Sequence, residues 1–409
     1  MNKKKIINDP VYGFITVPSE LLYDIIEHPY FQRLRRIKQL GLTEMVYPGA
    51  LHTRFHHALG AMHLMSMALD TLRSKNNEIN DTEYEASLIA ILLHDIGHGP
   101  FSHALETAIF KEVHHEHLSL HIMQLLNKAF GGKLELAMQI FTGTYHRKFF
   151  HQLVSSQLDV DRLDYLNRDS FYTGVYEGKI GADRLIKMLD VANDQLVVEE
   201  KAIYSIENFL VSRRLMYWQV YLHKTVISAE NMVLRTVQRA RELVQAGVEL
   251  PGSPCLLYFL ESDLTLENFE ADHTILERFI ALDDHDVWSG IKLWATHPDK
   301  ILSFLSTNIL NRRLFKVIIA NKPYDEEFLL GISELVQEHY QIPAEDVKYL
   351  MISGKISNNA YQAEGQSIDV LTKAGYVVDV ADASDLPNIR ALRDKVEKYY
   401  VCYPKEVAH

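Results

Sequence analysis

Cysteine is nearly absent: Cys255 and Cys402 are the only two in 409 residues. No disulfide framework can be built from them, and a reducing, cytoplasmic location is the expectation. No run of 18 apolar residues occurs, so no membrane-spanning helix is expected. The N-terminus, Met1-Asn2-Lys3-Lys4-Lys5-Ile6-Ile7-Asn8-Asp9-Pro10, starts basic but has no long apolar stretch behind it, so it is not read as a secretory signal. Positive charge is also in deficit. Lys+Arg total 42 against 54 Asp+Glu, a net charge of −12. Proteins that coat polyanions are usually basic, so nucleic acid is not the expected partner, although a local basic pocket remains compatible. No internal repeat, Gly/Ser-rich linker or low-complexity segment breaks the chain.

What is present is an ordinary globular composition, 47% hydrophobic and 23% charged, with ample material for a core. The length suits one large domain, or a main domain with an appendage. Histidine is the exception. There are 20, and 11 of them fall between His52 and His121. Imidazole is the commonest metal ligand and the usual acid–base group near neutral pH.

Hydrophobic periodicity predicts a mainly helical chain. A short extended entry over 4–17 turns at Asn8-Asp9-Pro10. Helices are predicted from Ser19 to Pro29, over 31–40, over about 53–73 and over 83–95. More follow at about 103–110, 115–130, 133–142 and 149–166. Residues 195–206 read as a hairpin and 206–247 as one long helix, broken by Pro251-Gly252-Ser253-Pro254, after which helices resume to about Asn311. The tail changes character. Strands at 314–319, 346–358, 367–381 and 399–403 with helices at 325–340 and 386–399 make the order βαββαβ, a split-βαβ, ferredoxin-like unit. The expected division is therefore 1–310 for the helical domain, with a site core at about 50–225, and 311–409 for a small α/β domain.

His94-Asp95 is the sharpest chemical signal, within Leu92-Leu93-His94-Asp95-Ile96-Gly97-His98-Gly99-Pro100-Phe101-Ser102-His103. Adjacent helical residues diverge by about 100°, so the pair can grip one cation from two sides. An imidazole with a carboxylate suits a divalent metal such as Mn, Fe, Zn, Ni or Co. Two residues cannot complete a site, and His57 and Asp161 are the candidates for further ligands. Asp161, Tyr165 and Asp169 recur at i, i+4 and i+8, one polar stripe on a helix. Either signal alone is more often a helix-end accident or a solvated face. The neighbouring Asp159 and Asp164 are read as caps or as partners of Arg162 and Arg168. His56, His63, His114, His117 and His121 are read as satisfied or surface histidines.

At these residues the chain resembles the HD-domain phosphohydrolases, whose signature H…HD…D would here be His57, His94-Asp95 and Asp161. Phe31-Gln32-Arg33-Leu34-Arg35-Arg36-Ile37-Lys38-Gln39-Leu40-Gly41, Pro48-Gly49-Ala50 and His52-Thr53-Arg54-Phe55-His56-His57-Ala58-Leu59-Gly60 resemble the deoxynucleoside triphosphate triphosphohydrolase branch. The similarity runs from about Lys5 to His223, and leaves no room for a separate SAM domain ahead of Lys5. It implies release of inorganic triphosphate from a dNTP, by water attack at the α-phosphorus. It also implies one divalent ion (Mn, Fe, Zn, Ni, Co or Mg), with Mg accompanying the nucleotide. By the same resemblance His103 is the general acid and Glu106 its orienting carboxylate, where relatives carry Asp. His98 and His115 stand near the phosphates. Arg54 and Arg162 supply cations, Arg162 where some relatives have Lys. Gln39 and Asp169 bond the sugar 3′ hydroxyl, and Tyr165 packs against C2′. Leu40, Arg213, Tyr217 and Tyr221 complete the substrate contacts. Lys5, Glu27, Gln32 and Arg35 match a guanine-reading activator site between subunits, so a homo-oligomer (dimer or tetramer) is expected. The rival readings are an HD phosphohydrolase acting on nucleoside monophosphates or cyclic nucleotides, and a non-catalytic nucleotide sensor.

Overall fold

The structure is a computed structural model, and it describes residues 5–101, 113–358, 361 and 367–407. The chain opens with an antiparallel hairpin, β1 (Lys5–Asp9) and β2 (Gly13–Val17). Ile15 and Val17 face inward, while Asn8 and Phe14 pair on the outer face. Ser19 then caps a helix over Glu20–Glu27, accepting from the Leu22 N–H. The helix expected over 31–40 is much shorter. It covers Pro29–Gln32 and tightens into a 3₁₀ turn at Arg33–Arg36, after which Ile37 is extended. That extension lets residues 37–39 pair with 52–54: the Gln39 N–H donates to the His52 carbonyl and the Arg54 N–H to the Ile37 carbonyl, both at 3.0 Å.

Four helices carry the site. They are Arg54–Ser74, Asp81–Leu93, His115–Ala129 and Val160–Thr173. The second is buried on every side from Ala86 to Leu93, as a helix that is apolar all round must be. The single helix expected over 149–166 is two, Lys148–Val154 and Val160–Thr173. Asp159 makes the break. Its carboxylate accepts from the Ser156 and Arg162 N–H groups at 2.7 Å, which favours a cap over a helix interior. The predicted helix at 103–110 lies outside the described residues.

The expected hairpin sits earlier than the strand propensities suggested. It joins β3 (Leu189–Ala192) to β4 (Gln195–Glu199) through Asn193 and Asp194, both at positive φ, the turn chemistry of a two-residue hairpin. Residues 203–205 open a helix, Ile203–Met216, and are not a strand. The long helix expected to 247 is also divided. A π-helical turn at Tyr217–Tyr221 ends the first part, and His223 caps the second, Lys224–Gln245.

The mainly helical class stands, with small sheets in the C-terminal region; the ferredoxin-like strand arrangement does not. β5 (Lys316–Ala320), β6 (Ile352–Asn358) and β9 (Val396–Tyr403) form an antiparallel sheet in the order β5-β9-β6. The expected strand over 367–381 is a hairpin of β7 (Asp369–Leu371) and β8 (Val377–Asp379). β7 pairs in parallel with β4, so this hairpin closes the open edge of the β3-β4 pair instead of joining the tail sheet. The helix expected over 386–399 covers only Pro387–Ala391, and residues 344–350 are helical turns, not strand.

Candidate metal centre

The entry to the Arg54–Ser74 helix is pinned from both sides. Thr53 caps it, and the Thr53 N–H donates to His56 Nδ1 at 3.2 Å. One turn in, His57 is fully buried. The Asp81–Leu93 helix begins with a reciprocal Asn80–Glu83 capping box and delivers His94 as its C-cap, with Asp95 in the turn beyond. The His94 carbonyl accepts from Ser119 Oγ at 2.8 Å, and Ser119 Oγ accepts from the Gly97 N–H at 2.9 Å. Arg33, fully buried, donates to the carbonyls of Ile96, Ile280 and Leu282 and so clamps the same turn. Gly97 leaves no room for a side chain. A Cβ there would stand 2.3 Å from the His115 carbonyl oxygen and from the Ser119 nitrogen. Gly97→Ala is expected to cost about 1–3 kcal/mol by overpacking. It should lower the melting temperature, whereas Gly331→Ala, with nothing within 4 Å of the added carbon, should not.

Three donor atoms converge. His57 Nε2 lies 3.0 Å from Asp161 Oδ1 and 3.4 Å from His94 Nε2, and His94 Nε2 lies 3.4 Å from Asp161 Oδ1. Donors about 2.1 Å from one shared ion stand roughly 3.0–3.4 Å apart in octahedral or tetrahedral shells, so these residues fit a divalent cation. Asp95 stands beside these three, with Oδ1 3.3 Å from His94 Nε2 and Oδ2 3.9 Å from His57 Nε2, and groups with His98 and His115 in a second cluster of donors. The far sides of both imidazoles are held. His57 Nδ1 meets Asp164 Oδ2 at 2.7 Å, and His94 Nδ1 meets the Ile91 carbonyl at 2.6 Å. These bonds leave both Nε2 atoms facing the centre.

The electrostatics ask for a cation. Burial alone would lower the His57 imidazole, but hydrogen bonds to Asp161 and Asp164 outweigh it and raise the pKa to about 10. Burial likewise disfavours the Asp161 carboxylate, yet His57 and His94 hold it well below the usual carboxylate range. In both cases the buried carboxylates draw positive charge to the cluster.

Beside this set, Asp95 Oδ1 lies 3.4 Å from His98 Nε2, and the His98 and His115 rings stack at 3.7 Å. Arg54 Nη1 donates to Asp95 Oδ2 at 2.5 Å. Arg162 pairs with its own N-cap, Asp159, and Arg213 Nη1 donates to Gln157 Oε1 at 3.2 Å. Two turns past Asp161, Asp169 is buried; it meets His52 Nε2 at 2.7 Å and accepts from the Tyr221 hydroxyl at 2.8 Å. Tyr221 packs edge-on against both Tyr165 and Tyr217. Gln39 Oε1 is buried with no hydrogen-bond partner among the described residues. Leu40 is half-buried against the core.

Comparison with known proteins gives the family. The HD domain family matches residues 54–169, and the HD associated region matches 180–249. A phosphohydrolase structure from Bacteroides thetaiotaomicron is 54% identical, covering 98% of this chain and 100% of that one, with a TM-score of 0.95. The chain belongs to the HD-domain phosphohydrolase family. Uncharacterized protein YwfO of Bacillus subtilis is 32% identical over 100% of this chain and 94% of its own length. The deoxynucleoside triphosphate triphosphohydrolase SAMHD1 homolog of Dictyostelium discoideum is 32% identical, over 60% of this chain and 51% of its own.

Not every expected HD-site residue can be placed. His103 and Glu106 lie outside the described residues. Arg213, Tyr217 and Tyr221 do not share one α-helix: Arg213 lies in the Ile203–Met216 helix and the two tyrosines in the π turn that follows, a feature that recurs at functional sites. Of the four residues matched to an activator, Arg35 Nε donates to Gln32 Oε1 at 2.8 Å, while Lys5 donates to the Tyr23 hydroxyl and Glu27 is exposed. No described contact joins the two groups. Three supporting residues were missed by sequence reasoning: His52 on Asp169, Gln157 on Arg213, and Asp164 in its role on His57. The Asp164–Arg168 pairing was expected and is present. The histidine preceding Thr53-Arg54 was the signal for His52, since it shares a segment with His57.

Proposed function

We propose that this HD phosphohydrolase acts on deoxynucleoside triphosphates, releasing the deoxynucleoside and inorganic triphosphate in a metal-dependent step. The observation that carries the reading is the stripe of the Val160–Thr173 helix, which runs from Asp161 in the candidate metal set, past Tyr165, to Asp169, buried between His52 and Tyr221. A bound divalent ion would polarise a phosphoryl oxygen and lower the pKa of water. His57, His94, Asp95 and Asp161 would hold it. Arg54, Arg162 and Arg213 bring fixed positive charge for the phosphates, and buried Arg162 Nε and Arg213 Nε have no hydrogen-bond partner among the described residues. Gln39 Oε1, an acceptor with no partner among the described residues, is suited to a sugar hydroxyl. Tyr165, held against Tyr221, offers a flat face to the sugar where an added 2′ hydroxyl would crowd it. The departing 5′ oxygen needs a proton, and His103 is assigned that role, with Glu106 orienting it. His98 and His115 border the same space beside Asp95.

Two further parts of the proposal concern regulation. Lys5, Glu27, Gln32 and Arg35 would read a guanine nucleotide, supported by the Gln32–Arg35 pairing, and the protein would work as a homo-oligomer. Turnover of the four dNTPs, in protein reconstituted separately with Mn(II), Fe(II), Co(II), Ni(II), Zn(II) and Mg(II), tests the reading. Each candidate activator nucleotide is added in turn and the products are separated by anion exchange. Inorganic triphosphate in equal amount to deoxynucleoside is the expected result. Orthophosphate or pyrophosphate as the first product would sink it, as would hydrolysis confined to nucleoside monophosphates or cyclic nucleotides.

A further inference from the structure

A line of buried charge connects the N-terminal hairpin to the metal set. Asp9 ends β1, and its Oδ1 accepts from the Val11 and Tyr12 N–H groups at 2.9 and 3.0 Å, closing the hairpin turn. Its Oδ2 accepts from Arg168 Nη1 at 2.7 Å. Arg168 also reaches the other way, with Nε to Asp164 Oδ2 and Nη2 to Asp164 Oδ1, both at 3.0 Å. Asp164 Oδ2 is shared with His57 Nδ1 at 2.7 Å. The side chains of Arg168, Asp164 and His57 have no solvent exposure, and that of Asp9 has 4%.

Three features make this line directional. Both carboxylate oxygens of Asp164 are engaged by Arg168, so rotating the guanidinium rotates the carboxylate. That carboxylate accepts from His57 Nδ1, which would leave the Nε2 lone pair for an ion held between His57, His94 and Asp161. The charges do not cancel either: Asp9 and Asp164 against Arg168 leave one negative charge, and it faces the imidazole. Gly60, one turn past His57, permits the approach, since a Cβ there would lie 2.0 Å from Asp164 Oδ1 and 2.1 Å from Arg168 Nη2.

We propose that Asp164 is a positioning residue for His57, and that Asp9, acting through Arg168, ties the seating of the N-terminal hairpin to the aim of that metal ligand. The proposal rests on His57 being a ligand, as read above. Asp9 touches none of the four ligand residues in the described contacts, and Arg168 and Asp164 are the hydrogen-bonded groups that link it to His57.

Mn(II) affinity of the full chain, measured by competition with a fluorescent chelator, tests it for wild type, Asp164→Asn, Asp9→Asn and Leu166→Ala. Nitrogen-15 NMR of the Zn(II)-loaded protein reads the His57 tautomer. Asp164→Asn is expected to weaken Mn(II) binding by about 10–100-fold. Asp9→Asn should weaken it in the same direction by a smaller factor and shift the His57 Nδ1–H resonance. Leu166→Ala empties a buried apolar position on the same helix, so it should lower the melting temperature while leaving the affinity of the folded fraction unchanged. Wild-type affinity in folded Asp9→Asn would overturn the proposal, as would an equal loss of affinity in Leu166→Ala. Wild-type His57 carrying its proton on Nε2 would overturn it without any variant. If wild-type protein binds no divalent ion, the metal-centre reading fails, and this proposal fails with it.

Discussion

Asp161→Asn is expected to lose the divalent ion and to lower turnover by at least roughly 10³-fold, because several kcal/mol of charge stabilisation leave with the metal. The substitution keeps the size of the side chain, so packing is not the cause. Among the described residues, Asp161 Oδ1 is the one carboxylate oxygen within 3.4 Å of both imidazole Nε2 atoms. An amide there carries no charge, and rotated it would point an N–H at groups that should face a cation. The fold should survive, since the Val160–Thr173 helix is capped by Asp159 and not by Asp161. Metal content by atomic emission, beside turnover and circular dichroism, separates the outcomes. Full metal occupancy in a folded variant would remove Asp161 from the ligand set.

Gly60→Ala is expected to be strongly destabilising. The added carbon would overlap the Asp164 carboxylate and the Arg168 guanidinium at distances near 2 Å. Neither can retreat to water, because both are fully buried and hydrogen-bonded to each other. The Arg54–Ser74 and Val160–Thr173 helices must therefore part, or the ion pair must break. Overpacking costs about 1–3 kcal/mol, and breaking a buried pair about 3–5 kcal/mol. Thermal unfolding should show a loss of at least about 3 kcal/mol, and the surviving folded protein should bind metal more weakly because His57 has lost its tether. A melting temperature equal to that of wild type would show that the helices can separate at no cost.

The candidate ligand residues were legible in the chain because their chemistry is carried by residue type and short spacing. His94-Asp95 at a helix end, and an aspartate stripe at i, i+4 and i+8, need no knowledge of long-range contacts. Other elements misled for a definite reason. Residues 31–40 have helical periodicity, yet the pairing of 37–39 with 52–54 overrides it. Residues 206–247 read as one helix because a π turn inserts a single residue without disturbing composition. The tail strands carry the right propensity, but propensity does not say which edge a strand will choose. β7 chose β4, more than 160 residues upstream.

The chain by itself therefore determined the class of the fold and pointed to His57, His94 and Asp161, whose donor atoms the fold brings together. Local period, capping chemistry and the types of donor atom are properties of neighbours in sequence. The tertiary structure alone decided that Asp164 turns from a helix-face partner of Arg168 into the anchor of His57, and that Asp9 braces it from the first hairpin. It also decided that His52 and Tyr221 together hold Asp169. Each of these pairings spans between 52 and 159 residues of chain. A buried charge takes whichever partner the packing brings within hydrogen-bond reach, because leaving it unpaired costs several kcal/mol, and sequence distance does not enter that choice.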